Sequence, residues 1–205
     1  MKEKLAPIHF IQHNRIRIQE NLEEFLIDLY SLQDLDQEST ELHGERSAAV
    51  PLQNQIDHDN IHGWLESHLI ANEKRMAILV KEITEKKGEE SLKNAYAEFG
   101  QMLGASLKEN IQFHSGQELY GYISSIVLDG MPCDKINVLI ESGDHHITWH
   151  NVRDIHGKYF EDVGLRGSYF YDLRESFLTG FLKSVGDLSF VMNRTSEAIE
   201  NRVNF

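Results

Sequence analysis

Histidines are concentrated in one stretch of the second half of the chain. Of the 11 histidines in the sequence, His145, His146, His150 and His156 lie close together. Imidazole is the side chain that titrates nearest to neutral pH, and it is also the commonest metal ligand in proteins. This stretch is therefore the first place in the sequence to look for acid–base or metal chemistry.

The histidines fall in a segment, residues 136–154, whose alternating pattern predicts a β-hairpin with its turn at residues 142–144. His146 and His150 share one face of the returning strand, and Trp149 shares the other with an isoleucine. We expect the histidine face to meet the helices and line a pocket, where the pair acts as general acid and base across one small substrate. The alternative is an exposed polar face of an antiparallel sheet.

Other residues would complete such a pocket. Trp149 and Tyr122 are candidates for an apolar wall, and His145 and His156 are candidates for further ligand-binding groups. Cys133 is the only cysteine, and it is a candidate nucleophile with a nearby histidine as its base. The alternative for a lone cysteine is a small buried apolar residue.

A second group of histidines offers a metal site. His58 and His62 are four residues apart in a segment predicted to be helical, so both can face one metal ion. Asp57 and Asp59 flank the first histidine and could supply oxygen ligands. No third ligand is evident, and the alternative is a polar helix start with two half-exposed histidines. A divalent transition metal is thus the one cofactor that the sequence leaves open.

The composition narrows the class of protein. A chain of 205 residues with 40% apolar residues and a net charge of -13 is typical of one folded acidic domain. The negative charge disfavours nucleic acid and anionic membrane as main partners. The sequence shows no apolar run of about 18–20 residues and no leader pattern, and it has one cysteine, so we expect a cytoplasmic protein. A small molecule is the expected partner, and a homo-oligomer remains open.

Common nucleotide and hydrolase motifs do not appear. The sequence contains no phosphate-binding loop, no dinucleotide glycine pattern and no nucleophile elbow. The usual evidence for a kinase, a common NTPase or a Rossmann dehydrogenase is therefore missing.

The periodicity of apolar residues predicts an α+β fold in a single domain, residues 1–205, with about four helices followed by a four-stranded antiparallel sheet interrupted by two helices. Residues 1–130 are mainly helical and residues 131–205 carry the sheet. The predicted helices are Ile8–Leu32, Asp57–Lys87, Glu89–Gln112, Ser115–Leu128, Lys158–Val163 and Tyr169–Ser184. The predicted strands after the hairpin are Leu188–Arg194 and Asn201–Phe205.

Local details follow from the same pattern. We expect Ser31–Asn54 to be a long surface connection with one short helix. Asp57 or Asp59 is the expected helix cap. Glu20 and Glu23 are expected to lie off the apolar stripe of the first helix. Gly100 and Gly104, four residues apart, predict close packing of two helices, as small residues at this spacing allow.

Three runs of sequence carry a family resemblance: GEESLKNAYAEFGQMLGASL, VRDIHGKYFEDVGL, and YDLRESFLTGF followed by LSFVMNRTSEAIENRVNF. Over roughly residues 81–205 the chain resembles the L-2-amino-thiazoline-4-carboxylic acid hydrolase-like family. The resemblance implies a helical front, a small sheet and a small-molecule pocket, with hydrolysis of a C–N bond in a ring or amidine-like group. Members often carry cysteines where this chain has Asp154, Asp172 and Asn201, which puts the shared reaction in doubt. The alternatives are a non-enzymatic small-ligand or metal sensor of the same fold, and a purely structural or partner-binding acidic protein.

Overall fold

Helices dominate the first part of the chain, and the strands follow them. The computed structural model describes residues 4–109, 113–186, 188–195 and 198–205, which form seven α-helices and four strands. The helices are α1 (Pro7–Tyr30), α2 (Gln33–His43), α3 (Ile61–Lys87), α4 (Glu89–Leu107), α5 (Gly116–Ile126), α6 (Gly157–Asp162) and α7 (Tyr169–Gly186). The strands are β1 (Asn137–Ser142), β2 (His146–Asn151), β3 (Ser189–Arg194) and β4 (Ile199–Asn204). The predicted α+β class is confirmed.

The helix boundaries lie close to the predicted ones, with α2 as a fifth helix before the sheet. Residues 110–112, which include the predicted end of α4, lie outside the described residues. None of the described helices is both long enough and apolar enough to cross a lipid bilayer.

The four strands form one antiparallel sheet in the order β1-β2-β4-β3. In the pairing of β2 with β4, Ile147 lies opposite Val203 and Trp149 lies opposite Asn201. Ile147, Trp149 and Val203 all belong to the main hydrophobic core. The helices therefore cover the face of the sheet that carries these residues.

One hydrophobic core joins the helices to the sheet. Leu26 of α1, Leu79 of α3, Leu92 of α4, Leu119 of α5 and Phe181 of α7 all belong to it, and each is at most 1% exposed. Full burial of such a side chain stabilises a fold by about 1.5–3 kcal/mol. The core therefore fixes the positions of the helices on which the polar residues described below are carried.

Helices α4 and α7 approach each other through glycines. A Cβ atom added at Gly100 would lie 2.2 Å from the backbone oxygen of Phe177, and one added at Gly180 would lie 2.1 Å from the backbone oxygen of Ala97. At Gly104, the nearest atom would be the backbone oxygen of Phe181, at 2.7 Å. The predicted close packing through small residues is confirmed.

The start of α3 differs from the prediction. The helix begins at Ile61, and its N-cap is Asn60, whose side-chain oxygen accepts a hydrogen bond from the Gly63 N–H. The expectation that Asp57 or Asp59 caps this helix is therefore wrong. The Asp57 side chain instead accepts a hydrogen bond from the backbone N–H of Asp59, within the turn before the helix.

The inner face of α1 carries buried charges, which corrects the prediction for Glu20 and Glu23. Both are 0% exposed. Glu23 accepts hydrogen bonds from Arg75 Nε at 2.7 Å and from Arg46 Nη2 at 2.9 Å. Arg75 also donates to the backbone oxygen of Gly44 at 2.6 Å. These ion pairs tie the connection between α2 and α3 to the helical core.

The glycine contacts predict opposite effects for the same substitution at two helical positions. Gly180→Ala should lower the free energy of unfolding by about 3 kcal/mol, because the new methyl group meets backbone atoms that cannot move independently. Gly121→Ala in α5 should raise it by about 0.5–1 kcal/mol, because nothing lies within 4 Å of the added atom. Urea unfolding of both variants measures the two changes, and equal effects would contradict the packing described here.

Candidate functional site

A buried carboxylate, Asp129, lies between the helices and the sheet, shortly after the end of α5. Its side chain is 3% exposed. One oxygen, Oδ1, accepts hydrogen bonds from His156 Nε2 at 3.1 Å and from Arg174 Nη1. The other oxygen, Oδ2, accepts from Asn137 at 2.7 Å and from Asn151 at 3.3 Å. Four donors thus satisfy the hydrogen-bonding capacity of this carboxylate.

These donors keep Asp129 ionised. Burial by itself would raise the pKa of Asp129. The Arg174 guanidinium and the hydrogen bonds from His156 and Asn137 outweigh the effect of burial and hold the pKa of Asp129 well below its usual range. A negative charge is therefore present inside the protein at neutral pH.

His156 connects Asp129 to a second carboxylate. Its Nδ1 atom lies 2.7 Å from Oε1 of Glu73, and its side chain is 2% exposed. The imidazole ring stacks on Phe170 at a centroid distance of 4.0 Å and an interplanar angle of 8°. Burial lowers the pKa of His156, but the two carboxylates outweigh burial and the nearby Arg174, so the pKa lies above its usual value.

Glu73, Asp129, His156 and Arg174 form a charged tetrad. When His156 is protonated, the tetrad has two positive and two negative charges, so it is balanced without solvent ions. Arg174 also donates to the backbone oxygen of Leu128 at 2.8 Å. Such pairing of opposite charges is what allows them to remain in a protein interior.

The connection from β2 to α6 determines the orientation of His156. Asp154 Oδ1 accepts hydrogen bonds from the backbone N–H groups of His156 and Gly157, both at 2.9 Å. The same oxygen accepts from the hydroxyl of Tyr171 at 2.9 Å. The backbone of His156 is therefore anchored to α7 independently of the tetrad.

Two spaces adjoin the tetrad. The inner cavity has a volume of about 30 Å³ and is lined by Glu73 and Arg174 together with Gln19, Asn72, Tyr96 and apolar side chains. The outer cleft has a volume of about 380 Å³, and it is lined by Glu73, Glu66, Arg153, Lys158, Met131 and Tyr159 among others. The volume of the outer cleft lies in the range of small-molecule sites, roughly 300–1,000 Å³.

Glu73 is shared by the two spaces. It lines both the inner cavity and the outer cleft. Its Oε1 atom is bound to His156, whereas Oε2 accepts no hydrogen bond from any residue within the described ranges. One oxygen of an otherwise buried carboxylate is thus open to a ligand or to water.

His146 and His150, the predicted acid–base pair, lie on the sheet face opposite Ile147 and Trp149. The helices therefore cover the other face and not, as we expected, the histidine face. His146 lies 2.9 Å from a carboxylate oxygen of Glu141, and its side chain is 21% exposed. His150 lies 3.4 Å from Glu200 and is 30% exposed. Four residues of strand span about 13 Å, a spacing that does not favour joint action on one small substrate.

The other predicted pocket residues are spread over the molecule. Trp149 is 4% exposed and packs in the core against Tyr120 and Phe190. Tyr122 of α5 lines an open groove, and His145 is exposed in the hairpin turn. The Cys133 thiol is exposed in a short 3-10 turn, Pro132–Asp134. Of the predicted ligand-binding residues, His156 is the one that belongs to the tetrad.

His58 and His62 do not share a helix face, because α3 begins at Ile61 and His58 precedes it. His58 Nε2 lies 3.0 Å from the backbone oxygen of Gln53. His62 Nε2 lies instead 3.3 Å from Nε2 of His9 in α1. Among the described residues, no group of three or more histidine, cysteine, aspartate or glutamate side chains is arranged to hold a metal ion.

Sequence patterns did not predict Glu73, Asp129 and Arg174 as site residues. Two of them could have been recognised as charged residues at apolar positions of helices. Glu73 interrupts the apolar stripe of α3 between Leu69 and Met76, and Arg174 interrupts the apolar side of α7. A charged residue at a core position of an amphipathic helix is costly unless it is paired. Asp129 had no comparable signal, because it lies in a short connection.

No family model matches the chain, and neither the curated proteins nor the solved structures include a match to it.

The saturated bonding of Asp129 predicts a large cost for its removal. Asp129→Asn should lower the free energy of unfolding by about 3–5 kcal/mol, because it leaves the buried Arg174 and His156 charges without their partner. Asp162→Asn, at an exposed position of α6, should change it by less than about 0.5 kcal/mol. Chemical denaturation at pH 7 measures both, and similar small losses would contradict a structural role for Asp129.

The raised pKa of His156 predicts a pH-dependent contribution to stability. A group whose pKa is higher in the folded than in the unfolded protein stabilises fully below the unfolded value, about 6.5 for histidine. That contribution is lost as the pH rises through the folded pKa. The stability difference between the wild type and His156→Gln should therefore be largest below about pH 6.5 and shrink at higher pH.

Unfolding curves at a series of pH values measure this difference. His145→Gln, which changes an exposed histidine, serves as the control and should show little dependence on pH. A constant difference between the wild type and His156→Gln across the series would show that His156 is not charged in the folded protein.

Proposed function

We propose that the chain is a small-molecule enzyme that binds its substrate in the outer cleft and uses Glu73 as a general base. The observation that carries this proposal is the position of Glu73. Its carboxylate is fixed by a buried histidine on one oxygen, has its second oxygen open, and lines a cleft of about 380 Å³. A fixed carboxylate with one free oxygen next to a substrate-sized space is the arrangement that proton transfer requires.

The proposed reaction is hydrolysis of a C–N bond. Glu73 accepts a proton from a water molecule while the water oxygen forms a bond to the substrate carbon. The C–N bond then breaks, and Glu73 returns the proton to the departing nitrogen. Water is consumed, and the carboxylate ends in its starting state, so the step needs no further reactant.

His156 is proposed to act as a positioning residue. Its bond to Oε1 holds the carboxylate of Glu73 in one orientation, and Asp129 and Arg174 hold His156 in turn. A group fixed in this way loses little entropy when the transition state forms. Asp129, His156 and Arg174 would therefore support the reaction through Glu73, without contacting the substrate.

The residues that line the outer cleft favour a planar, ring-shaped or amidine-like substrate. Glu66 and Glu73 supply carboxylates, which pair well with the N–H groups of such a molecule, and Tyr159 supplies an aromatic surface. The net charge of -13 also supports a small neutral or cationic partner over a polyanionic one.

A non-enzymatic sensor is the second candidate. The observation that favours it is that all four charges of the tetrad are already paired inside the protein. A balanced internal network can shape a binding cleft without taking part in a reaction. In that case the same molecules would bind in the cleft and dissociate from it chemically unchanged.

A screen of cyclic amides, amidines and thiazolines with product detection tests the proposal. With a substrate found in this way, Glu73→Gln should lower kcat by about 10²–10⁴-fold, because the amide cannot accept the proton. Glu66→Gln is the matched control, since Glu66 lies two helical turns earlier on α3 and lines the same cleft but not the inner cavity.

The control should retain kcat within a few-fold. Because Glu73→Gln also affects a buried ion pair, Glu73→Asp provides a second variant that keeps the charge and moves the oxygens, and its kcat should fall as well. Full activity in both Glu73 variants would sink the general-base proposal. Binding of a screened molecule without turnover by the wild type would favour the sensor.

A further inference from the structure

The inner cavity has the size of a water site. Its volume of about 30 Å³ exceeds the roughly 10–15 Å³ that one water molecule needs. It is far smaller than a cavity of about 150 Å³ that admits benzene. A substrate of the kind proposed for the outer cleft therefore does not fit inside it.

The hydroxyl group of a largely buried tyrosine lies in the wall of this cavity. Tyr96 of α4 is 7% exposed and lines the cavity. Its hydroxyl forms no hydrogen bond with any residue in the part of the chain that the structure describes. Burial raises the pKa of Tyr96 well above its usual value, with a smaller effect from Glu73, so the hydroxyl keeps its proton. The hydroxyl of a largely buried tyrosine usually finds a hydrogen-bond partner, and here no protein group within the described residues supplies one.

Glu73 supplies an acceptor on the same cavity. Its Oε2 atom is free of hydrogen bonds from described residues, and Glu73 and Tyr96 both line the space. Arg174, Asn72 and Gln19 line it as well, which brings the polar side chains to five. A buried water usually makes about three hydrogen bonds, so the cavity offers enough partners to hold one.

We propose that the inner cavity holds ordered water that links the Tyr96 hydroxyl to the free oxygen of Glu73. An ion is disfavoured in this place, because the tetrad is already balanced in charge. The use of this water rests on the proposed function: if Glu73 is the general base, the cavity water lies beside it and supplies the hydrolysis. The presence of the water does not depend on any reaction.

Water relaxation dispersion of the substrate-free protein tests the proposal, because it counts internal water molecules with long residence times. Val127→Ile adds one methyl group to the cavity wall, and it should remove at least one long-lived water relative to the wild type. Val152→Ile adds the same group at an exposed position and should leave the count unchanged.

Tyr96→Phe is the second variant, because it removes one hydrogen-bond partner and keeps the ring. The residence time of the cavity water should fall by about tenfold in this variant. A high-resolution crystal structure of the wild type should show the water within hydrogen-bonding distance of both Tyr96 and Glu73.

The proposal is overturned if the crystal structure shows a dry cavity, or if Val127→Ile retains every long-lived water of the wild type. These outcomes are separate from those for the proposed function. A water that is present while Glu73→Gln remains fully active would leave this site standing and remove the general-base mechanism. A dry cavity together with an inactive Glu73→Gln would remove the water site and leave the general-base mechanism standing.

Discussion

The burial of the Asp129 carboxylate is the constraint that the site depends on. An ionised carboxylate is tolerated in a protein interior only when its oxygens are saturated with hydrogen bonds. Here the donors come from different elements: Asn137 and Asn151 from the first two strands, His156 from the connection to α6, and Arg174 from α7. Each element must be in place for the charge to be accommodated, so the carboxylate couples the sheet to the helices around it.

Helix α3 links the tetrad to a second buried ionic network. Glu73 binds His156 of the tetrad, while Arg75, two residues later, binds Glu23 of α1. Residues two positions apart in a helix point in different directions. The two buried ionic networks therefore hold the same turn of α3 from two sides. The part of α3 that lines the outer cleft is thus fixed before any ligand arrives, which is the condition for a preorganised site.

The predictable features of the sequence were those set by neighbouring residues. Apolar periodicity predicted the helices and the hairpin, and glycine spacing predicted the close approach of α4 and α7. The hairpin alternation separated His146 and His150 from Trp149 correctly. It did not determine which face meets the helices, and the apolar face with Ile147 and Trp149 is the one that packs there. Histidine content indicated the exposed face, because residue type alone carries no information on burial.

The tetrad could not be predicted, because its members are far apart in the sequence and meet only through tertiary packing. The available signal was local: Glu73 and Arg174 are charges at core positions of their helices. Such charges can be purely structural when every polar atom is satisfied, as those of the Asp129 carboxylate are. Glu73 differs, because one of its oxygens has no donor among the described residues and its side chain lines two spaces. This oxygen, without a protein donor among the described residues, distinguishes Glu73 from the fully bonded Asp129.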